Sequence, residues 1–280
     1  MTYRWLDDLD LALDAGGVPY ELVGPSTLDP TGAQSWATRG RPYSTGEFDP
    51  AGVLCHHTAS PAGTPDDADL NGILCGNSQA PGPVSQLYLG RTGIVYLVAA
   101  GRCNHGGQGI RPGWDDGCTD MNAATVGIEA GNNGVGEPWP DVQIAAYTAT
   151  VAALCSWYGW TVEQVWLHAT TGPPSGGCNS KIDPAGPWRD QPDLTRDTWD
   201  LDVWRAAVTA AAPPSPPEDE MTDTDWSRMQ GLIHDTVMGI VRSDEFNTYV
   251  TRDAQTGAHE ATLGIVRSEE YANIIRSNTA

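Results

Sequence analysis

The sequence predicts an α/β domain, a central mixed β-sheet flanked by helices, followed by a small helical C-terminal segment. Three observations predict it. Short apolar runs bounded by turn residues alternate with longer segments of helical period. Two of those runs are joined by Gly90-Arg-Thr-Gly93, which reads as a hairpin. Finally, Pro213-Pro-Ser-Pro-Pro217 with Glu218-Asp-Glu220 interrupts the pattern as a stiff, solvated spacer. The expected organisation is therefore a domain over 1–212, a Pro-rich acidic linker over 213–220 and a helical tail over 221–280.

Within the domain a helix is expected around Trp5 to Ala15, then a strand Gly52-Val-Leu-Cys-His-His57. Thr64-Pro65 opens a short helix, since Thr can cap and Pro suits a first turn. Strands are expected over Val84 to Leu89, Ile94 to Ala99 and Thr125 to Glu129. A long helix runs from about Pro140 to Tyr158 and is stopped by Gly159. A strand ending at Leu167-His168 and a helix from Leu201 to Ala212 complete the domain. In the tail, His234 to Phe246 returns as His259 to Tyr271, two helical copies too few to bury a solenoid core. Self-association or docking onto a cell wall is the expectation for 221–280, and Met221 is a candidate internal start.

The charge excludes one large class of function. With 15 Lys and Arg against 36 Asp and Glu, the chain carries a formal charge of -21 and no basic run, so it cannot offer the clustered cations that nucleic acid needs. No apolar stretch approaches the roughly 20 residues that span a bilayer, and Met1-Thr-Tyr-Arg-Trp-Leu-Asp-Asp lacks the apolar core of an export signal. The expectation is a protein made in the cytoplasm. Six cysteines at irregular spacing contain no Cys-x-x-Cys pair, so neither a zinc ribbon nor a small disulfide scaffold is indicated. Cys55 and Cys155 read as core thiols, whereas Cys103 and Cys118 bracket a glycine-rich loop and could pair.

Chemistry concentrates at three strand ends. His56-His57, Glu129 and His168 stand where apolar residues would be the default, and the only lysine of the chain, Lys181, lies two residues before Asp183. A hydrolytic zinc site needs three protein ligands and an open position, and His, His and Asp fill it, with Glu129 left over as a base. An ammonium beside the metal would stabilise negative charge on a substrate oxygen. Strand alternation requires the His56 and His57 side chains to diverge and leaves open which of them faces the metal.

Four motifs carry a resemblance: Val-Leu-Cys-His56-His57-Thr58-Ala59, Gly-Arg-Cys-Asn-His105-Gly-Gly, Val-Gly-Ile-Glu129-Ala, and His168 followed by Lys181-Ile-Asp183-Pro184. From about Gly40 to Asp200 the chain resembles the zinc-dependent N-acetylmuramoyl-L-alanine amidases, the family of phage lysozyme-amidases and peptidoglycan recognition proteins. The resemblance implies Zn2+ on His56, His168 and Asp183, with His57 on the other face. Cys178, in a Thr170 to Ser180 insertion, stays open as a rival third ligand. It further implies Glu129 as proton carrier, Lys181 as oxyanion stabiliser, and cleavage of the amide between N-acetylmuramic acid and L-alanine in peptidoglycan. Many relatives carry a tyrosine near the metal where this chain has Ser85 or Gln86, and Tyr88 reads as a packed strand residue. Ser85 and His105 are assigned to the substrate groove. Trp114, Trp139, Trp157, Trp160, Trp166 and Trp188 include candidates for sugar stacking, with Trp157 and Trp166 assigned to the core. The biological reading is a phage endolysin, held in the host cytoplasm until lysis and then acting on the wall. A non-catalytic peptidoglycan-binding module and a virion protein with a wall-cutting domain are the alternatives.

Overall fold

Runs such as Val53-Leu-Cys-His-His57 and Val126-Gly-Ile-Glu-Ala130 are buried throughout, which is the expected state of strands covered on both faces. They belong to a computed structural model that describes residues 2–113, 117–172, 178–194 and 197–212. The readings of linker, tail, Met221 and Trp114 fall outside those residues. In chain order the elements are α1 (Leu9–Ala15), β1 (Tyr20–Leu22), β2 (Val53–His57), α2 (Asp66–Cys75), β3 (Leu87–Leu89), β4 (Val95–Leu97), β5 (Gln108–Gly109), β6 (Thr119–Asp120), α3 (Met121–Ala124), β7 (Val126–Ala130), α4 (Asp141–Tyr158), β8 (Val165–Leu167) and α5 (Leu201–Ala211).

Among the described residues the strands form one six-stranded sheet, ordered β1-β4-β3-β7-β2-β8, and a β5-β6 hairpin. Neighbours in the sheet run parallel except β3 and β4, which are antiparallel across the expected hairpin turn. The sheet is thus mixed, and α/β as the sequence predicts. Its register sets Tyr88, Glu129 and His56 in one row across β3, β7 and β2. Cys55 pairs with Leu167, so His168 leaves β8 beside the end of β2. Alternation then separates two faces. Val53, Cys55, Val126, Ile128, Val165 and Leu167 pack with residues of α1, α4 and α5 in the main core, while Leu54 joins Met121 and Trp166 in a separate cluster on the other side.

Several elements depart from expectation for local reasons. The first helix begins at Leu9 rather than Trp5, and the residues before it are tied to other segments, the Arg4 amide donating to Phe48 and the Leu6 amide to Ala100. Thr64 does not cap α2: its hydroxyl donates to Pro61, Pro65 holds the cap position, and Asp66, Asp67 and Asp69 place negative charge in the first turn. The strand expected from Val84 starts at Leu87, since Val84 hydrogen-bonds Ile73 and the Gln86 side chain bridges Gly101 and Gly127. β1, α3 and the β5-β6 hairpin have no counterpart among the elements that the sequence predicts. Gly159 ends α4 in the left-handed conformation, as read from the sequence.

Trp139, Tyr147, Trp188, Trp199 and Trp204 form one aromatic cluster, with centroids 4.7 Å apart for Trp139 and Trp199 and 4.9 Å for Trp199 and Trp204. Trp139 and Trp188 are therefore core residues rather than sugar platforms. Trp157, assigned to the core, is instead 41% exposed, its indole N–H donating to Asp8. Cys103 is a buried free thiol, and Cys118 pairs with Cys178 across a sequence separation of 60. Closing a loop of that length contributes about 4 kcal/mol by chain entropy.

Arg39 and Asp29 form an ion pair at 2.6 Å with both side chains fully buried. Arg39 also donates to the Val23, Val98 and Gly24 carbonyls, joining the residues that follow β1 to the residue that follows β4. Burial alone would raise the Asp29 carboxyl, but hydrogen bonds from Thr31 and Arg39 outweigh it and hold it below its ordinary value. A depressed carboxyl contributes stability that is present above the unfolded value near pH 4 and is lost as pH falls through the folded one. Asp29→Ala strands a buried guanidinium and is expected to cost about 3–5 kcal/mol in urea unfolding at pH 7, a deficit that shrinks under acid.

Candidate active site

The site lies at the carboxyl ends of β2, β7 and β8, where parallel strands deliver consecutive side chains to one crevice. His56 is fixed through its backbone first. Its amide donates to the Tyr147 hydroxyl of α4 at 2.9 Å, and that hydroxyl in turn faces the His56 and Ile128 carbonyls at 3.0 and 3.2 Å. His57 turns to the opposite face and accepts the Ala185 amide at Nδ1. The structure thus resolves the ambiguity of the His-His pair in favour of His56.

His56, His168 and Asp183 converge so that one ligand atom from each lies within 4.8 Å of the others. Both Nδ1 atoms face the same Asp183 Oδ2, at 3.0 Å from His56 and 3.1 Å from His168. Asp183 reaches this position because its segment is tied on both sides. Its carbonyl accepts from Ala169, Pro184 accepts from Trp199, and Ala185 accepts the Trp139 indole N–H. Cys178, the rival ligand, is engaged in its disulfide and is not a free thiolate.

The outer nitrogens decide what the inner ones can do. His168 Nε2 lies 3.1 Å from the Gly106 carbonyl, which can only accept, so the proton of a neutral ring belongs there. Its Nδ1 lone pair then points at a carboxylate oxygen. Two acceptors facing each other repel, and a divalent cation between them converts that repulsion into coordination. His56 Nε2 is 3.1 Å from His105 Nδ1, the same arrangement with an imidazole as the outer partner. Burial pushes His56 down to about 4, assisted by the charge of His168 and opposed by Asp183. Burial would raise Asp183, but the two imidazoles hold it well below the usual carboxylate range. A neutral His56 ring and an ionised Asp183 carboxylate are protonation states that metal ligation needs, so the donor set fits Zn2+.

His105 does not line a groove. It is buried, and Gly127 makes room for it: a β-carbon on Gly127 would stand 2.4 Å from the His105 ring. Burial and the neighbouring His56 keep its pKa well below the ordinary imidazole value. Ser85 is also fully buried, its hydroxyl donating to the Leu87 carbonyl, and it presents nothing to substrate. Gln86, the other residue read at the position where many relatives carry a tyrosine, is spent on backbone groups. Tyr88 is packed as expected, its hydroxyl 3.4 Å from Asp66 and from Asp69.

Glu129 stands next to His56 in the strand register, with Oε2 buried and without a hydrogen-bond partner. Burial raises its carboxyl to about 8, with the negative charges of Asp183 and Asp69 adding and Lys181 opposing. Lys181 is exposed, yet near enough for its charge to act on both Glu129 and His56. The site therefore holds a buried carboxyl with its pKa raised to about 8 beside a candidate metal triad and an ammonium.

A family model of N-acetylmuramoyl-L-alanine amidases matches residues 46–186, half of the chain and all five of these residues. The chain belongs to the N-acetylmuramoyl-L-alanine amidase family. As such it is an amidase acting on peptidoglycan, with His56, His168 and Asp183 as its candidate zinc site. No curated protein matches the chain. Solved structures similar to the amidase include the endolysin amidase LysCS from Clostridium intestinale URNW, at 22% identity and TM-score 0.33, covering 48% of this chain and 78% of that one. An AmpD derivative is 18% identical with TM-score 0.41 over 60% of this chain and 93% of its own. AmiD from E. coli, in complex with an anhydro-N-acetylmuramic acid peptide, is 19% identical with TM-score 0.35 over 49% and 55%. Among the described residues no helix of the amidase is long and apolar enough to cross a membrane.

Two outcomes follow from this geometry. His105→Ala is expected to weaken zinc binding roughly 10- to 100-fold in a chelator competition, the usual scale for an outer hydrogen-bond partner, while leaving the fold intact. Glu129 raised to about 8 binds a proton that the unfolded chain releases near pH 4, so it erodes the stability of the metal-free amidase as pH rises between those values. Glu129→Gln is accordingly expected to raise the thermal midpoint of the metal-free protein at pH 7, with a smaller gain at pH 4.

Proposed function

We propose that this amidase is a zinc enzyme that hydrolyses the bond between the lactyl group of N-acetylmuramic acid and L-alanine during phage lysis of a bacterial host. The observation that carries the reading is the convergence of both imidazole Nδ1 atoms on Asp183 Oδ2, with Glu129 adjacent in register. Zn2+ held by His56, His168 and Asp183 would supply Lewis acidity toward the amide carbonyl and lower the pKa of a water. Glu129 takes a proton from the water that attacks the carbonyl carbon. The ammonium of Lys181 stabilises the charge that grows on the carbonyl oxygen. As the carbon–nitrogen bond breaks, Glu129 returns the proton to the leaving amine of L-alanine.

The family match supports this chemistry, and the lysis setting follows the resemblance of the four motifs to a family that includes phage lysozyme-amidases. On the same reading the amidase is held in the host cytoplasm until lysis and then works on the wall. Residues 221–280, beyond the Pro-rich linker, would serve wall binding or self-association. An acidic enzyme gains no general attraction to anionic wall polymers, so its recognition of substrate is short-range.

Digestion of purified peptidoglycan followed by mass analysis tests the bond: new free L-alanine amino termini on released stem peptides are expected, and new reducing sugar ends would contradict it. Glu129→Ala and Lys181→Ala are each expected to retain zinc and lose roughly 10²-fold or more in turnover. Near-normal turnover in both would remove their assigned roles.

A further inference from the structure

Lys181 is attached to the site differently from the metal triad. The triad is held by strand ends and by backbone hydrogen bonds at Asp183, Pro184 and Ala185. Lys181 is exposed, and its amide donates to the side chain of Asn179. Asn179 donates in turn to the Gln108 carbonyl of β5 and to the Thr171 hydroxyl, both at 2.9 Å. One residue earlier, Cys178 is joined to Cys118, which directly precedes β6. The far end of that disulfide is firmly founded. Asp120 of β6 pairs with Arg102 at 2.7 Å and caps α3, and the Asn122 side chain of α3 accepts from the Gly106 and Gly107 amides. The disulfide thus ties the approach to Lys181 to the framework that carries His105 and Gly106, the outer partners of both imidazoles.

We propose that the Cys118–Cys178 disulfide, with Asn179, is a positioning brace for Lys181 whose redox state sets turnover without altering the metal triad. Closed, it holds the ammonium where negative charge develops. Opened, it frees the residues before Lys181 while His56, His168 and Asp183 keep their own supports. Cys118 is exposed and Cys178 half-buried, so a small dithiol can reach the pair, whereas Cys55, Cys103 and Cys155 are buried. In the exchange a dithiol becomes a disulfide as the two protein sulfurs depart as thiols with its two protons; a low-molecular-weight disulfide reverses the step by accepting the two electrons. The role for Lys181 rests on the reading under Proposed function. If the chain is held in a reducing cytoplasm, the brace opens there and closes outside it.

The test compares the oxidised holoenzyme, the same protein reduced with a water-soluble phosphine, and Cys118→Ser/Cys178→Ser. Thiol titration verifies each state. In the phosphine reaction the reagent takes oxygen from water while both sulfurs gain hydrogen, and no dithiol is present to chelate zinc. On reduction we expect unchanged zinc content, amide exchange at 179–182 accelerated at least roughly 10-fold, and kcat on a soluble muramoyl-peptide lowered roughly 10- to 10²-fold with KM little changed. The double variant should match the reduced enzyme and ignore the phosphine. Unchanged exchange and kcat after verified reduction would overturn the brace, as would loss of zinc in step with activity. An oxidised protein that fails to cut the lactyl–alanine amide would instead overturn the proposed reaction, leaving exchange at 179–182 to decide the brace.

Discussion

The parallel pairing of β2 with β7 and β8 is the constraint on which the site depends. It sets His56 beside Glu129 and delivers His168 to the end of β2. Because strand side chains alternate, a slip of one residue would turn His56 toward α4 and bring His57 to the crevice. Two contacts outside the ladder oppose that slip. The Tyr147 hydroxyl meets the His56 amide from one face, and the His105 ring fills the space that Gly127 leaves beside β7 on the other. The apolar core and the metal ligands are thereby specified by the same register.

A second constraint acts on Asp183, which arrives from an irregular segment rather than a strand. The tryptophan cluster substitutes for a sheet there: Trp139 and Trp199 hydrogen-bond the backbone at Ala185, Pro184 and Gly186 while packing against each other. Irregular backbone is held by aromatic packing plus indole and amide donors, so the carboxylate is as well positioned as the imidazoles. Around that fixed point the electrostatics divide the work. The buried rings of His56 and His105 stay neutral, the pKa of the buried Glu129 is raised to about 8, and the one lysine remains in water.

The residues of the site were legible because each carries a signal that packing alone would not produce: polar groups ending the apolar runs at 56, 129 and 168, and a lone lysine two residues before Asp183. Their supports were not. His105 sits in a glycine-rich loop with no period, and only the structure shows it against Gly127; the glycine in Val-Gly-Ile-Glu129 was the available signal, since a missing side chain inside a buried strand marks a close approach. Tyr147 reads as one more apolar residue on a long helix. The Cys118–Cys178 pairing joins positions 60 residues apart, and spacing among six cysteines does not specify connectivity. β1 and the β5-β6 hairpin are too short for periodicity to register.

The isolation of Lys181 carries a practical consequence. Reagents that attach proteins to beads, dyes or polymers through primary amines would find a single side-chain target among these 280 residues, and it stands exposed at the crevice. Immobilisation by that route would place the attachment two residues from Asp183 of the candidate zinc site. Maleimide coupling at Cys75, the exposed free thiol at the end of α2, offers a handle outside the ligand set.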